Sequence, residues 1–437
     1  MNIILLSGGS GKRLWPLSND VRSKQFIKIF KNEQGDYESM VQRVYRQIKS
    51  VDTNAKIIIA TAQAQVPAIH NQLGNNVGIS VEPSRRDTFP AIVLATAYLC
   101  GVQGVDINDP VVVCPVDPYV ETEYFAMLQK LSEQVQKEKA NLVLMGIEPT
   151  YPSEKYGYIM PKDKEAVSEV SEFKEKPNLA KAKEYIAQGA LWNAGVFAFK
   201  PKYVLQKAKE MLGASNYQEL FANYENLEKI SFDYAVVEKE KSIQVMRYSG
   251  EWKDLGTWNT LTEAMSENVV GEGIIGDCEN VHIVNELNMP LFAMGLKDVV
   301  ISASPDGIIV SDKEKSSYIK PYVEQIHQRP MYEEREWGTY RVLDHQENSL
   351  TKELVLKPGK NISYQRHSHR KEVWTFIQGE GLFLLNGEIK KVQAGDTVII
   401  PVGAKHALKA VTELHFIEVQ VGNPLIEEDI ERFEWVW

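Results

Sequence analysis

The stretch Leu5-Leu-Ser-Gly-Gly-Ser-Gly-Lys-Arg-Leu-Trp-Pro16 leaves an apolar run and enters a glycine-rich loop. Ile3–Leu6 is a four-residue apolar run that reads as a first buried strand. Gly8, Gly9 and Gly11 permit positive φ and close backbone approach, so successive N–H groups can wrap a phosphate chain. Arg13 and, further on, Lys24 can neutralise phosphate oxygens. The spacing fits neither the Walker A pattern nor the Rossmann G-x-G-x-x-G. A bare glycine turn could be purely structural; the two cations after a strand favour phosphate binding.

Working outward, Ala55–Ala60, Pro110–Cys114, Leu142–Gly146 and Gly195–Phe199 read as further strands. Glu123–Glu138 and Lys202–Met211 read as helices between them. This alternation predicts an α/β domain over residues 1–265, with a Rossmann-like, mostly parallel sheet. Residues 266–330 change texture. Gly271–Gly276, Val281–Val284, Val299–Ser302 and Gly307–Val310 are short strand-like runs with no long helix, which predicts a small β connector, left-handed β-helix-like at most. In residues 331–437, Leu354–Leu356, Trp374–Ile377, Gly381–Leu385, Thr397–Ile400 and His415–Val421 alternate with Gly-containing turns, as in an antiparallel barrel or jelly roll.

The bulk numbers agree with several globular domains. The chain has 437 residues, 43% hydrophobic and 25% charged. The net charge of −10 has no Lys/Arg block, which argues against nucleic acid or an anionic membrane as partner. The start, MNIILLSGG, lacks the basic region of a signal peptide. Ala91–Val102 is too short to span a bilayer and reads as a buried helix. The three cysteines, Cys100, Cys114 and Cys278, have no metal or redox spacing, so a reducing cytoplasm is the expected location.

The loop through Pro16, followed by Lys24-Gln-Phe26, resembles the signature of mannose-1-phosphate guanylyltransferases. The same order continues in Glu82-Pro-Ser-Arg-Arg-Asp-Thr-Phe-Pro-Ala-Ile92, Tyr156-Gly-Tyr-Ile159, Phe173-Lys-Glu-Lys-Pro177 and Trp192-Asn-Ala-Gly195. Ser231-Phe-Asp-Tyr-Ala-Val-Val-Glu238 and Trp252-Lys-Asp-Leu-Gly-Thr-Trp258 complete it. The resemblance implies transfer of a nucleotidyl group from GTP to mannose 1-phosphate. Gly8, Gly9, Gly11 and Arg13 would hold the triphosphate. The stretch Glu82–Thr88, with Pro83 and Arg86, would lie near base and ribose. Lys24 would act at the α-phosphate, and Asp117 and Asp254 would bind Mg²⁺. Gly157, Glu175, Asn193 and Gly195 would read the sugar, and Lys176 would hold its phosphate. A lone Asp at a strand end would otherwise be a turn or capping residue.

This chain departs from the family pattern. Ser18-Asn19 and Ser23 stand in the phosphate loop where Ser-Arg and Pro are usual. Pro115-Val-Asp-Pro118 replaces Pro-Ser-Asp-His, and Asp87 replaces Asn. A different sugar or base is therefore one alternative, and a non-catalytic nucleotide-sugar sensor another.

His367-Ser-His369, Glu372 and His406 form the metal signal of the chain. Two His separated by one residue on a strand face one way. With Lys357-Pro-Gly359 before them and Gly395–His406 after, they resemble the two-part cupin motif. Three imidazoles and one carboxylate suit Zn, Mn, Fe or Ni. Arg335–Tyr340, Ser363–Glu372, Ile417–Gly422 and Glu427–Ile430 resemble a type II mannose-6-phosphate isomerase domain, in which Arg370 could hold a phosphate. The chain ends at Glu434-Trp-Val-Trp437, without the usual Asp-x-Tyr-Gly-Arg, so isomerase and metal-holding roles both stand. Partners are expected to be small molecules, with homo-oligomer formation left open.

Overall fold

The structure is a computed structural model describing residues 1–9, 11–19 and 21–437. It divides into two units: Met1–Ser10, Ser23–Val66 and Leu73–Ser266 in the first, and Gly11–Arg22, Pro67–Gln72 and Glu267–Trp437 in the second.

The first unit is built on a nine-stranded sheet. Its order is Gly78–Glu82, Lys56–Ala62, Asn2–Leu6, Val111–Pro115, Leu191–Phe199, Leu142–Ile147, Ile243–Tyr248, Val167–Lys174 and Tyr158–Pro161. Ile3, Ile4 and Leu5 are fully buried between parallel neighbours, Ile4 facing Ile58 on one side and Val113 on the other. Parallel strands covered on both faces read as unbroken apolar runs, which is why the sequence pattern found them. The sheet is mostly parallel, as expected, with Leu191–Phe199 and Val167–Lys174 running against the other strands. Leu191–Phe199 runs antiparallel to both Val111–Pro115 and Leu142–Ile147, and the Val167–Lys174 and Tyr158–Pro161 pairings are antiparallel as well. An apolar run carries no sign of its direction, so the sequence could not give it.

Local chemistry places the helices. Met40–Val51 begins with a capping box, Ser39 accepting from the Gln42 N–H while the Gln42 side chain accepts from the Ser39 N–H. Thr88–Gly101 is buried almost throughout, as an all-apolar helix must be. Its N-cap, Asp87, accepts from the Thr88 N–H at 2.7 Å with φ 67° and ψ −176°, a backbone region seldom adopted outside glycine. Pro201–Leu212 starts on proline and stops at Gly213, whose φ is 75°.

In the second unit, residues 266–330 form parallel rungs that return after eighteen residues: Gly273 pairs with Leu291, His282 with Val300, and Glu279 with Lys297. Ile283, Ala293 and Ile301 fill the interior. The expected absence of a long helix holds among the described residues, the α-helix of this stretch being Lys320–Val323.

The remainder is two antiparallel sheets. One has the order Tyr332–Arg335, Gly338–His345, Ser349–Leu356, Leu414–Gly422, Arg370–Gln378, Thr397–Ile400. The other has Glu388–Gln393, Glu380–Leu385, His406–Ala410, Asn361–Arg366, Glu431–Phe433. Trp374, Phe376, Phe383, Leu408 and Phe416 pack between them. In Ser349–Leu356 every second residue is buried, the period-2 signature of a strand with one inward face.

Candidate functional site

Four parallel strands end on one edge of the first unit, where open α/β sheets bind ligands. Asn2–Leu6 delivers Gly8 and Gly9, Lys56–Ala62 delivers Ala62 and Gln65, Gly78–Glu82 delivers Glu82, and Val111–Pro115 delivers Asp117. All of these line one cavity of about 380 Å³. Polar side chains pin the glycine loop to it. Ser23 Oγ donates to the Gly9 carbonyl at 2.8 Å and accepts from Gln65 Nε2, while the Thr61 hydroxyl donates to Gln65 Oε1 at 2.6 Å. Ser23, the departure from proline noted above, thus orders the loop.

The second half of the loop belongs to the other unit. Gly11 has φ 62° and opens the turn Lys12–Leu14, on which Arg13 is exposed. Glu82 receives the Tyr224 hydroxyl on Oε2 at 2.8 Å, and burial raises its pKa above the usual range against that bond. Thr88 also lines the cavity, and its Oγ1 accepts from the Phe232 N–H at 2.8 Å. Arg86 is turned away and donates to the Glu225 carbonyl, and Pro83 is exposed. Arg85, within the stretch expected near the base, stands in the wall instead, with Gln25, Gln65 and Lys229, to which no individual role was assigned.

A second cavity, of about 230 Å³, shares Pro115 and Asp117 with the first. At the junction Lys24 Nζ lies 2.8 Å from Asp117 Oδ2 and 3.8 Å from Asp254 Oδ1. Burial alone would raise the Asp117 pKa, but the Lys24 ammonium outweighs it and holds it below the usual carboxylate range. Asp254 reaches the junction because Trp252–Asp254 pairs antiparallel with Pro118–Val120, Asp254 opposite Pro118. Both carboxylates remain accessible, with 37% and 34% of their side chains exposed.

Gly157, Glu175, Asn193 and Gly195 line this second cavity, joined by Lys155, Asp233 and Trp252, which the sequence reading had not assigned. Lys176 is not in the wall. It has φ 45° and pairs its Nζ with Glu175 Oε1 at 2.6 Å. A Cβ on Gly157 would fall 2.5 Å from Glu175 Oε2 and 3.0 Å from the Phe173 ring. Gly157→Ala is therefore expected to displace Glu175 and raise the KM for the ligand of this cavity about tenfold, with the KM of the first cavity's ligand unchanged; steady-state kinetics checks it.

In the second unit His367, Glu372 and His406 come together, their ligand atoms all within 4.8 Å of one another. All three are buried, with 2%, 1% and 0% of their side chains exposed. His367 Nδ1 faces the Asp429 carbonyl at 2.6 Å and His406 Nδ1 the Ala404 carbonyl at 3.1 Å. These carbonyls select the Nδ1–H tautomers, leaving the His406 Nε2 lone pair toward Glu372 and that of His367 between Glu372 and Arg370 Nη2, which lies 3.4 Å away. The distances are 3.2 Å from His367 Nε2 to Glu372 Oε1 and 3.5 Å from His406 Nε2 to Glu372 Oε2. Glu372 Oε2 and His406 Nε2 are buried without a hydrogen-bond partner among the described residues, a donor set that a cation would satisfy. Burial works against ionisation of Glu372, and the Arg370 guanidinium on its Oε1 favours the charged carboxylate.

The expected fourth ligand, His369, is corrected. His367-Ser-His369 lies in the turn between the strands Asn361–Arg366 and Arg370–Gln378, so the two-residue alternation does not apply. The His369 side chain is 53% exposed and turns to Asp429 at 3.1 Å. Arg370 is buried instead, donating from Nε to Glu372 Oε1 at 3.0 Å and from Nη1 to the Ile426 and Asp429 carbonyls at 3.2 Å each. Its guanidinium is thus committed to protein, where the sequence reading had left it for a phosphate.

Comparison with known proteins agrees with both halves. A family model described as nucleotidyl transferase matches residues 2–269, and one described as mannose-6-phosphate isomerase C-terminal matches residues 323–435. The chain is 31% identical to the mannose-1-phosphate guanylyltransferase ManC of Salmonella typhimurium, over 99% of this chain and 97% of that protein. It is 32% identical to the xanthan biosynthesis protein XanB of Xanthomonas campestris pv. campestris, over 99% and 97%. Among solved structures it resembles a protein from Thermus thermophilus described as mannose-1-phosphate geranyltransferase, with TM-score 0.63 and 28% identity, over 74% of this chain and 98% of that one. No helix among the described residues is long and apolar enough to cross a membrane. The chain belongs to the mannose-1-phosphate guanylyltransferase family, with a nucleotidyl transferase domain followed by a mannose-6-phosphate isomerase-type C-terminal domain.

Proposed function

We propose that this enzyme transfers a guanylyl group from GTP to mannose 1-phosphate, forming GDP-mannose and releasing pyrophosphate. The observation that carries this reading is the shared wall: two cavities abut at Asp117, where Lys24 and Asp254 converge. One cavity takes the nucleotide and the other the sugar phosphate. A sugar-phosphate oxygen attacks the α-phosphorus, a new P–O bond forms, and the bond to the leaving pyrophosphate breaks. Little covalent help is required, so positioning and charge supply the rate.

Lys24 neutralises the α-phosphate at the junction. Gly8 and Gly9 present backbone to the phosphates, and Gly11 and Arg13 are assigned to the triphosphate on the loop pattern. Glu82, fixed by Tyr224, supplies an acceptor at the base, with Thr88 and Arg85 beside it. Gly157, Glu175, Asn193 and Gly195 surround the sugar. Asp117 and Asp254 form an all-oxygen pair suited to Mg²⁺, and Gly256 keeps the space beside Asp254 clear: a Cβ there would lie 3.2 Å from its Oδ2. When bound, Mg²⁺ supplies positive charge shared between phosphate oxygens. Incubation with GTP, mannose 1-phosphate and Mg²⁺ should give GDP-mannose by mass spectrometry; no nucleotide-sugar from any sugar 1-phosphate would refute the assignment. Lys176 stands outside the wall and holds Glu175 by its Oε1; on the motif alone it is assigned to the sugar phosphate, and Lys176→Ala should raise the mannose 1-phosphate KM about tenfold with kcat within threefold.

For the C-terminal barrel we propose a divalent metal, one of Zn, Mn, Fe or Ni, on His367, Glu372 and His406. Isomerisation of mannose 6-phosphate is the second reading, favoured by the isomerase-type match at residues 323–435. We place the domain limits at 1–265, 266–330 and 331–437, and the site of action in the cytoplasm, in line with three free cysteines.

A further inference from the structure

Besides Asp117 and Asp254, the sugar-side cavity is lined by the carboxyl groups of Glu175 and Asp233, and of these two only Glu175 has a role in the transfer described above. The other, Asp233, opens the five-residue π-type turn Asp233–Val237. Phe232, just before it, is fully buried against Phe89, Phe197 and Phe199. Asp233 therefore enters the cavity from a rigid anchor.

Its Oδ1 accepts from Asn193 Nδ2 at 2.7 Å. Asn193 is itself committed to the protein. Its Oδ1 accepts from the Gly195 N–H at 3.1 Å, and its backbone N–H donates to the Gly157 carbonyl at 2.8 Å. Asn193 thus works as a bracket that aims Asp233. Glu175 is fixed beside it, tied to Lys176 on Oε1 and resting Oε2 over the bare Cα of Gly157. Burial, reinforced by the neighbouring Glu175 charge, pushes the Asp233 carboxyl up to about 7, which marks a group short of compensating donors.

We infer that Asp233 is a specificity-determining residue: beside Glu175 it accepts a hydrogen bond from one ring hydroxyl of the sugar 1-phosphate, with Asn193 as its positioning residue. The inference rests on the guanylyltransferase reading of this cavity. A site built to bond a hydroxyl rejects a sugar that lacks it or points it elsewhere, because its own polar group is then left unpaired.

The test uses the full-length enzyme, Asp233→Asn, Asp233→Ser, and mannose 1-phosphate with its 2-, 3-, 4- and 6-deoxy analogues. Both variants should raise the KM for mannose 1-phosphate roughly tenfold to a hundredfold, the range for a hydrogen bond to a charged group, while the GTP KM stays within twofold. Against one deoxy analogue that penalty should vanish, since the hydroxyl that Asp233 reads is already absent. Asn193→Ala should raise the sugar KM yet leave the same hydroxyl as the one read. An equal penalty against all five sugars, or a parent-like sugar KM in both variants, would overturn the inference. Failure of the guanylyltransferase reading would show separately, as a parent enzyme inert with mannose 1-phosphate.

Discussion

Asp254→Ala is expected to lower kcat/KM for guanylyl transfer about a thousandfold without unfolding the protein. The side chain is one third exposed in a polar junction, so its removal opens no apolar cavity. It does remove one of two carboxylates around Lys24 Nζ, where two anionic substrates must be brought together. Losing one preorganised electrostatic group at a reacting centre costs roughly two to three orders of magnitude in rate. Stopped assays over a Mg²⁺ series, with a thermal melt, check this. Most of the parent activity at saturating Mg²⁺ would place the cation elsewhere.

The second large effect is expected in the barrel. The double variant His367→Ala/His406→Ala should lose the bound divalent metal, about one per chain in the parent. His369→Ala should keep it, because that ring is exposed and pairs with Asp429. Guanylyl transfer should stay within threefold in both, since His367 and His406 lie in a different unit from Asp117 and Asp254. Elemental analysis after stripping and reloading, with transfer and isomerase assays side by side, reads all three outcomes. Metal retained by the double variant would refute the ligand set. Metal without mannose 6-phosphate isomerisation in the parent would leave the site and remove the second activity.

The sequence showed most of this where local rules decide structure. The glycine loop after Leu6, the aspartate after Val111–Pro115 and the alternation in Ser349–Leu356 are each set by neighbours a few residues away. What it missed depends on distant partners. Arg85 and Arg86 are indistinguishable in a motif, yet the loop running into Asp87 puts one in the cavity wall and turns the other toward Glu225. Lys155 reaches the cavity because Tyr158–Pro161, just after it, pairs with Leu191–Phe199, and Asp233 because its Oδ1 bonds Asn193 on that same strand. His369 was misassigned because the strand ends at Arg366, a boundary that the His-x-His pattern does not mark. Lys352 and Glu418 face each other inside the barrel, where composition alone would have put them in solvent.

The central claim is that one junction joins GTP to mannose 1-phosphate. Its most direct test is pyrophosphate release across a matrix of nucleoside triphosphates and sugar 1-phosphates, with kcat/KM measured for every pair. The account predicts that GTP with mannose 1-phosphate exceeds every other pair by at least tenfold, about 1.4 kcal/mol of transition-state preference. A tenfold advantage for any other base or sugar would contradict it.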